Sequence, residues 1–234
     1  MSNRTPRRFY KSVSVEKADG GFTVRLDDYP VKTPGKRLLT TPSQSMAERV
    51  AEEWQAQQER IDPQSMPWTR SVNSALDKTS AQRSEVTEHL IGYAGTDLLC
   101  YRAESPAALL ARQSEAWDPI LDWAATRFDI RFNVTCGVMP VSQDDATLTG
   151  LRHCMDSMSD FQLTGFHDLV TLSGSYVIAL AAAEKLHTGE HLWAVSRIDE
   201  TWQTEQWGVD EEAAQAAGLK RAAFLHAEAF FDAA

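Results

Sequence analysis

Around Thr41-Pro42 the hydrophobic pattern of this chain changes its period from two to about 3.6, so strands come first and helices after. Upstream, Phe9, Lys11, Val13 and Val15 fall on one side of an alternating run, and Phe22, Val24 and Leu26 alternate again. Asp19-Gly20-Gly21 between them is a turn signal, which predicts a β-hairpin. Asp27-Asp28 and Thr33-Pro34-Gly35 punctuate two further short strands, Tyr29 to Lys32 and Arg37 to Thr40. Downstream, Ser43 is a candidate N-cap, and Met46, Ala47, Val50, Ala51, Trp54 and Ile61 follow helical spacing up to Pro63. Glu48, Glu52 and Glu53 are expected to point mostly outward.

From there the signal is almost all helical. Val72, Ala75 and Leu76 face inward on a helix over residues 68–79; Val86, Leu90, Tyr93 and Ala94 mark another, closing at Gly95. Ser105-Pro106 opens a helix carrying Leu109, Leu110, Gln113 and Trp117, with Pro119 expected to kink it or start a new one. Arg131 to Val141 is expected to be irregular. Helices are predicted around Leu148 to Met155, over 160–172 and over 176–186, the last buried. A single helix over 188–207 should end at Gly208, with Asp210 capping the last helix. The fold class is α+β: a small N-terminal strand-rich α/β domain (1–62) followed by a larger helical domain (63–234).

Composition narrows the function. With 43% hydrophobic and 24% charged residues the chain is an ordinary globular protein, and no apolar run of about 18 residues is present to span a membrane. The first forty residues carry nine Lys or Arg and four acids, or +5, so the rest carries −15 of the total −10. An acidic body argues against nucleic acid, whose binding rests on neutralised phosphates. Three cysteines without a CxxC spacing point to neither a disulfide framework nor a zinc knuckle. The basic N-terminus has no apolar stretch behind it and is not a secretory signal.

Constellations with chemistry in them have blander explanations. His187 and His191 are four apart but lack a third ligand nearby, so no metal site is assigned. Ser173-Gly174-Ser175 follows a helix, whereas a nucleophile elbow follows a strand; it reads as a joint between helices. Adjacent acid pairs diverge by about 100° on a helix and form no dyad. Trp54, Trp117 and Trp202 lie on apolar stripes and are read as structural. On one continuous helix, Val195, Ile198 and Trp202 share one face, and Trp193, Glu200 and Trp207 the opposite one. That second face, an acid between two large aromatics, suits gripping a partner better than catalysis.

The ordered series Arg8-Phe9-Tyr10-Lys11, Lys32-Thr33-Pro34, Glu53-Trp54, Ile61-Asp62-Pro63 and Met66-Pro67 continues through Tyr93 and Thr96-Asp97-Leu98-Leu99-Cys100-Tyr101-Arg102. It is completed by Gln113 with Trp117-Asp118-Pro119, Gly174-Ser175, and Asp199-Glu200 with Trp202-Gln203 and Trp207-Gly208. From about Arg8 to about Glu211 the chain resembles the assembly chaperones for the α subunit of the F-type ATP synthase. The resemblance implies a small α/β domain with an orthogonal helical bundle. It implies a non-enzymatic chaperone without cofactor that covers the unassembled α subunit until the β subunit takes its place. Asp199 and Glu200 stand at the family's acidic positions, with Trp193, Gln203 and Trp207 as neighbours in a partner-binding surface. Mitochondrial members carry a presequence; here the first motif starts almost at Met1, so a bacterial, cytoplasmic member is expected, and a monomer, since nothing in the sequence indicates a homo-oligomer. The alternatives are a general holdase without a fixed client and a hydrolase or metal enzyme on a helical scaffold.

Overall fold

A computed structural model describes residues 6–234, so the first five residues of the basic N-terminus lie outside the described residues. The chain divides into two compact units. The first holds everything up to Arg83, with Ser159–Gly165 and Ala229–Ala234; the second holds Ser84–Met158 and Phe166–Glu228.

In the first unit, β1 (Val13–Ala18) and β2 (Gly21–Leu26) form the expected antiparallel hairpin, in register from Val13↔Leu26 to Ala18↔Gly21. Gly21 sits at φ +149, and a Cβ there would stand 2.1 Å from the Thr41 carbonyl oxygen, so only glycine fits. Two short strands, β3 (Tyr29–Pro30) and β4 (Thr40–Thr41), pair with opposite ends of β2. The first strand starts later than its alternation suggests: Tyr10 is buried and Phe9 exposed.

Helix α1 (Gln44–Ala56) lays Met46, Ala47 and Val50 into a core with Val24, Leu26 and Leu39. Its N-terminus is capped as expected, the Ser43 hydroxyl accepting from the Met46 amide. The helix stops at Ala56, well short of Pro63. Gln57 turns extended, and the next residues run beside the N-terminal segment, Arg8 donating to the Glu59 carbonyl and Ile61 to that of Pro6.

Glu53 is not an outward residue. It is half-buried and caps α2 (Pro67–Ser74), accepting from the amides of Trp68 and Thr69 at 2.6 and 2.8 Å and from the Thr69 hydroxyl. Burial raises its carboxyl pKa despite those donors. Val72 of α2 lies in the same core as Val50. The domain boundary expected after Asp62 therefore falls inside this unit, because α1 and α2 share one cap and one core.

The second unit is helical: α3 (Arg83–Gly95), α4 (Ala107–Phe128), α5 (Asp145–Cys154), α6 (Asp160–Ser173), α7 (Tyr176–Ala183), α8 (Gly189–Ser196), α9 (Ile198–Trp207) and α10 (Glu211–Asp232). The ends of α3, α6 and α10 contribute residues to the first unit. Two short strands, β5 (Tyr101–Arg102) and β6 (Thr135–Cys136), pair in parallel. Helix α4 runs on through Pro119 as one element. Every residue of α7 from Tyr176 to Ala182 is buried, as its unbroken apolar run predicts. Ser173-Gly174-Ser175 is a joint: Gly174 has φ +75, and the Ser175 hydroxyl caps α7 through the Ile178 amide.

Asp97 organises the middle of this unit. Fully buried, it accepts from the Leu99 amide in its own turn and, across the unit, from the Ser175 hydroxyl and the Val177 amide at the start of α7. Burial pushes its carboxyl up to about 6, outweighing the donors that pull it down.

Candidate partner-binding surface

The expected single helix over 188–207 is two helices, broken at Arg197 (φ −114, ψ 20). The Val195 carbonyl, which a continuous helix would offer to the Asp199 amide, accepts from Trp117 Nε1 at 2.9 Å. A break resets the helical phase, so a seven-residue spacing across it no longer means a shared face.

That break overturns one residue of the expected surface. Trp193 is 6% exposed and packs on Phe224, ring centroids 5.7 Å apart, and the Arg197 guanidinium lies over its ring. It is a core residue of α8. Trp117 is fully buried, as expected. Trp202 and Trp54 are only half-buried, so neither is the fully buried residue its stripe implied. Trp54 packs edge-on against Tyr10, and its carbonyl accepts from the Tyr10 hydroxyl at 2.6 Å, while its own indole N–H is buried without a partner.

The remaining candidates lie on α9. Asp199 is half-buried at its first turn and accepts from Gln113 Nε2 of α4 at 2.6 Å. Gln113 is itself buried; its other amide atom accepts from the Ala103 amide, and its carbonyl from buried Arg102. Arg102 stacks on Trp117 and pairs with Asp118 at 2.7 Å. A second tie lies one helical face along: Arg112 of α4 makes a bidentate pair with Glu205 (2.9 and 3.0 Å) and covers the Trp202 ring. Asp199 and Trp202 thus hold α9 to α4.

Glu200, Gln203 and Trp207 face solvent. Glu200 pairs with Arg197 three residues back, and Trp207 is 79% exposed. Exposure does not stop with α9. Gly208 ends it at φ +92, Asp210 caps α10 through the Glu212 and Ala213 amides, and every residue from Gln203 to Ala223 is exposed. Val209 and Leu219, at 68% and 70% exposed, were not legible as surface anchors. The signal was negative: residues 211–223 hold alanines but no large apolar stripe until Phe224.

Among the described residues no three His, Cys, Asp or Glu side chains gather into a group that could hold a metal ion, and His187 and His191 only lie ring to ring at 4.7 Å. Cys100 is buried, its thiol pushed up to about 12 chiefly by that burial. A depression along α4 is lined by Asp118, Leu121, Asp122, Arg131 and Phe132 among others, without a histidine. No described helix is long and apolar enough to cross a membrane.

An aromatic displayed on a helix that is firmly rooted at its base is what a protein-docking element needs. Residues 7–125 match the family described as ATP12 chaperone protein, and this chain belongs to that family. It is 47% identical to the crystallised Atp12 of Paracoccus denitrificans, covering 97% of each chain with a TM-score of 0.92. A crystallised protein from Agrobacterium tumefaciens is 38% identical, covering 97% of this chain and 86% of that one, also with a TM-score of 0.92. The mitochondrial protein atp12 of Schizosaccharomyces pombe is 23% identical over 219 residues, 88% of this chain and 75% of that protein. These likenesses bear out the α+β fold class and the family expected from the motif series.

Proposed function

We propose that this chain is a non-enzymatic assembly chaperone that binds the unassembled α subunit of the F-type ATP synthase and releases it to the β subunit. An orphan subunit exposes an apolar interface that aggregates unless covered. The observation that carries the proposal is Trp207: a large aromatic displayed to solvent at the end of α9, with Gln203 and Glu200 along the same helix. Glu200 meets a Lys or Arg of the client; Asp199 supports it from behind. Membership of the ATP12 chaperone family and the crystallised bacterial relatives support the chaperone assignment; the place of action proposed with it is the cytoplasm.

The test uses purified α subunit warmed alone, with this chain, and with this chain followed by β. Light scattering by α should fall when the chaperone is present, and β should displace it. Equal protection of unrelated unfolded proteins would instead define a general holdase, and unchanged scattering by α would remove the client altogether.

A further inference from the structure

Beyond Trp207 the chain stays exposed. Helix α10 runs from Glu211 to Ala223, about 20 Å at 1.5 Å per residue, before Phe224 is buried. Within that span Ala216, Leu219 and Ala223 fall on one face of about 60° and form a narrow apolar strip. Trp207 and Val209, on the other side of the break at Gly208, add two more exposed apolar side chains to the arm. A helical stretch of that length is marginal in water without packing, so a face left bare is available to a partner.

The charges say what kind of partner. Three arginines near the arm are already committed: Arg197 to Glu200, Arg112 to Glu205, and Arg221 to Glu190. Asp210, Glu211 and Glu212, which flank the Trp207–Val209 tip, have no cationic partner among the described residues. The tip is therefore apolar with three acids that pair with no described cation, Asp210 capping α10 and Glu211 and Glu212 in its first turn, while the arm's Lys220 and Arg221 stand more than two turns further along.

We infer that the arm from Trp207 to Ala223 is the docking element for an apolar segment of the client flanked by Lys or Arg. This rests on the client proposed above and adds to it a second helix that the motif series did not single out. The apolar strip supplies the buried contact, and Asp210, Glu211 and Glu212 set its register and its sensitivity to salt.

The experiment measures affinity of the full chain for purified α subunit, alongside melting temperature. Trp207→Ser/Val209→Ser/Leu219→Gln should bind about tenfold or more weakly while melting as wild type, since all three side chains are exposed. Glu211→Gln/Glu212→Gln should bind several-fold more weakly at low salt and lose most of the salt dependence. The control is Val138→Ser/Met139→Ser, two equally exposed apolar residues elsewhere, which should bind normally. Wild-type affinity in the triple variant overturns the arm while leaving the client in place, as does an equal loss in the control. A wild-type dimer broken by the triple variant makes the arm a self-association surface and overturns it too. If wild type itself fails to bind α, the client assignment falls and the arm's occupant with it.

Discussion

Gln113 of α4 donates to Asp199 of α9 across 2.6 Å, and through that bond a buried amide fixes the root of a solvent-facing helix. The same amide accepts from Ala103, so both ends of the side chain are used. Gln113→Ala leaves an amide and a carboxylate without their partner and should cost about 1–3 kcal/mol in urea unfolding. It should also weaken α binding, although Gln113 itself is buried. Unchanged stability would mean Asp199 is held by its helix alone.

Glu200 gives the opposite expectation. It is exposed and tied only to Arg197, and such pairs contribute little to stability. Glu200→Lys should shift the melting temperature by no more than a degree or two yet reduce α binding by about tenfold. Normal binding by this variant would take the acidic position out of the interface.

Tryptophans at two depths should respond differently. Trp117, fully buried and bonded to the Val195 carbonyl, should lose about 3–5 kcal/mol on replacement by Ala. Half-buried Trp54 should lose less. Its indole N–H has no partner, so Trp54→Phe removes a buried orphan donor and should cost under about 1 kcal/mol. Denaturant melts of the three variants would rank them; a larger loss from Trp54→Phe than from Trp117→Ala contradicts the packing.

Asp97 predicts a pH dependence. Burial raises its carboxyl from 3.8 to about 6, so between those values the folded chain holds a proton that the unfolded chain has released. Its contribution is therefore full below about pH 4 and is lost as pH climbs past 6, on the order of 3 kcal/mol in all. The stability gap between wild type and Asp97→Asn should narrow from pH 4.5 to 7.5. A gap that widens with pH would mean that the Leu99 and Val177 amides, not burial, govern the group.

Legibility followed the range of the forces involved. The hairpin, the Ser43 cap, buried α7 and the Ser173–Ser175 joint were readable because period and turn chemistry are local. The break at Arg197 was not. No Gly or Pro marks it, and the residue beside it that engages the backbone, Trp117, is remote in sequence. Glu53 misled for the same reason: a carboxylate on a polar stripe looks solvated until α2 is brought beneath it. Of the expected surface residues, Glu200, Gln203 and Trp207 do face solvent and Trp193 does not, and the α10 arm, whose one large apolar residue before Phe224 is Leu219, was missed.

Of the seven tryptophans, Trp207 alone is exposed among the described residues. The protein thus carries its own optical probe at the tip of the arm. Dissolved iodide should dim that indole ahead of the other six, and whatever molecule settles over it should restore the light.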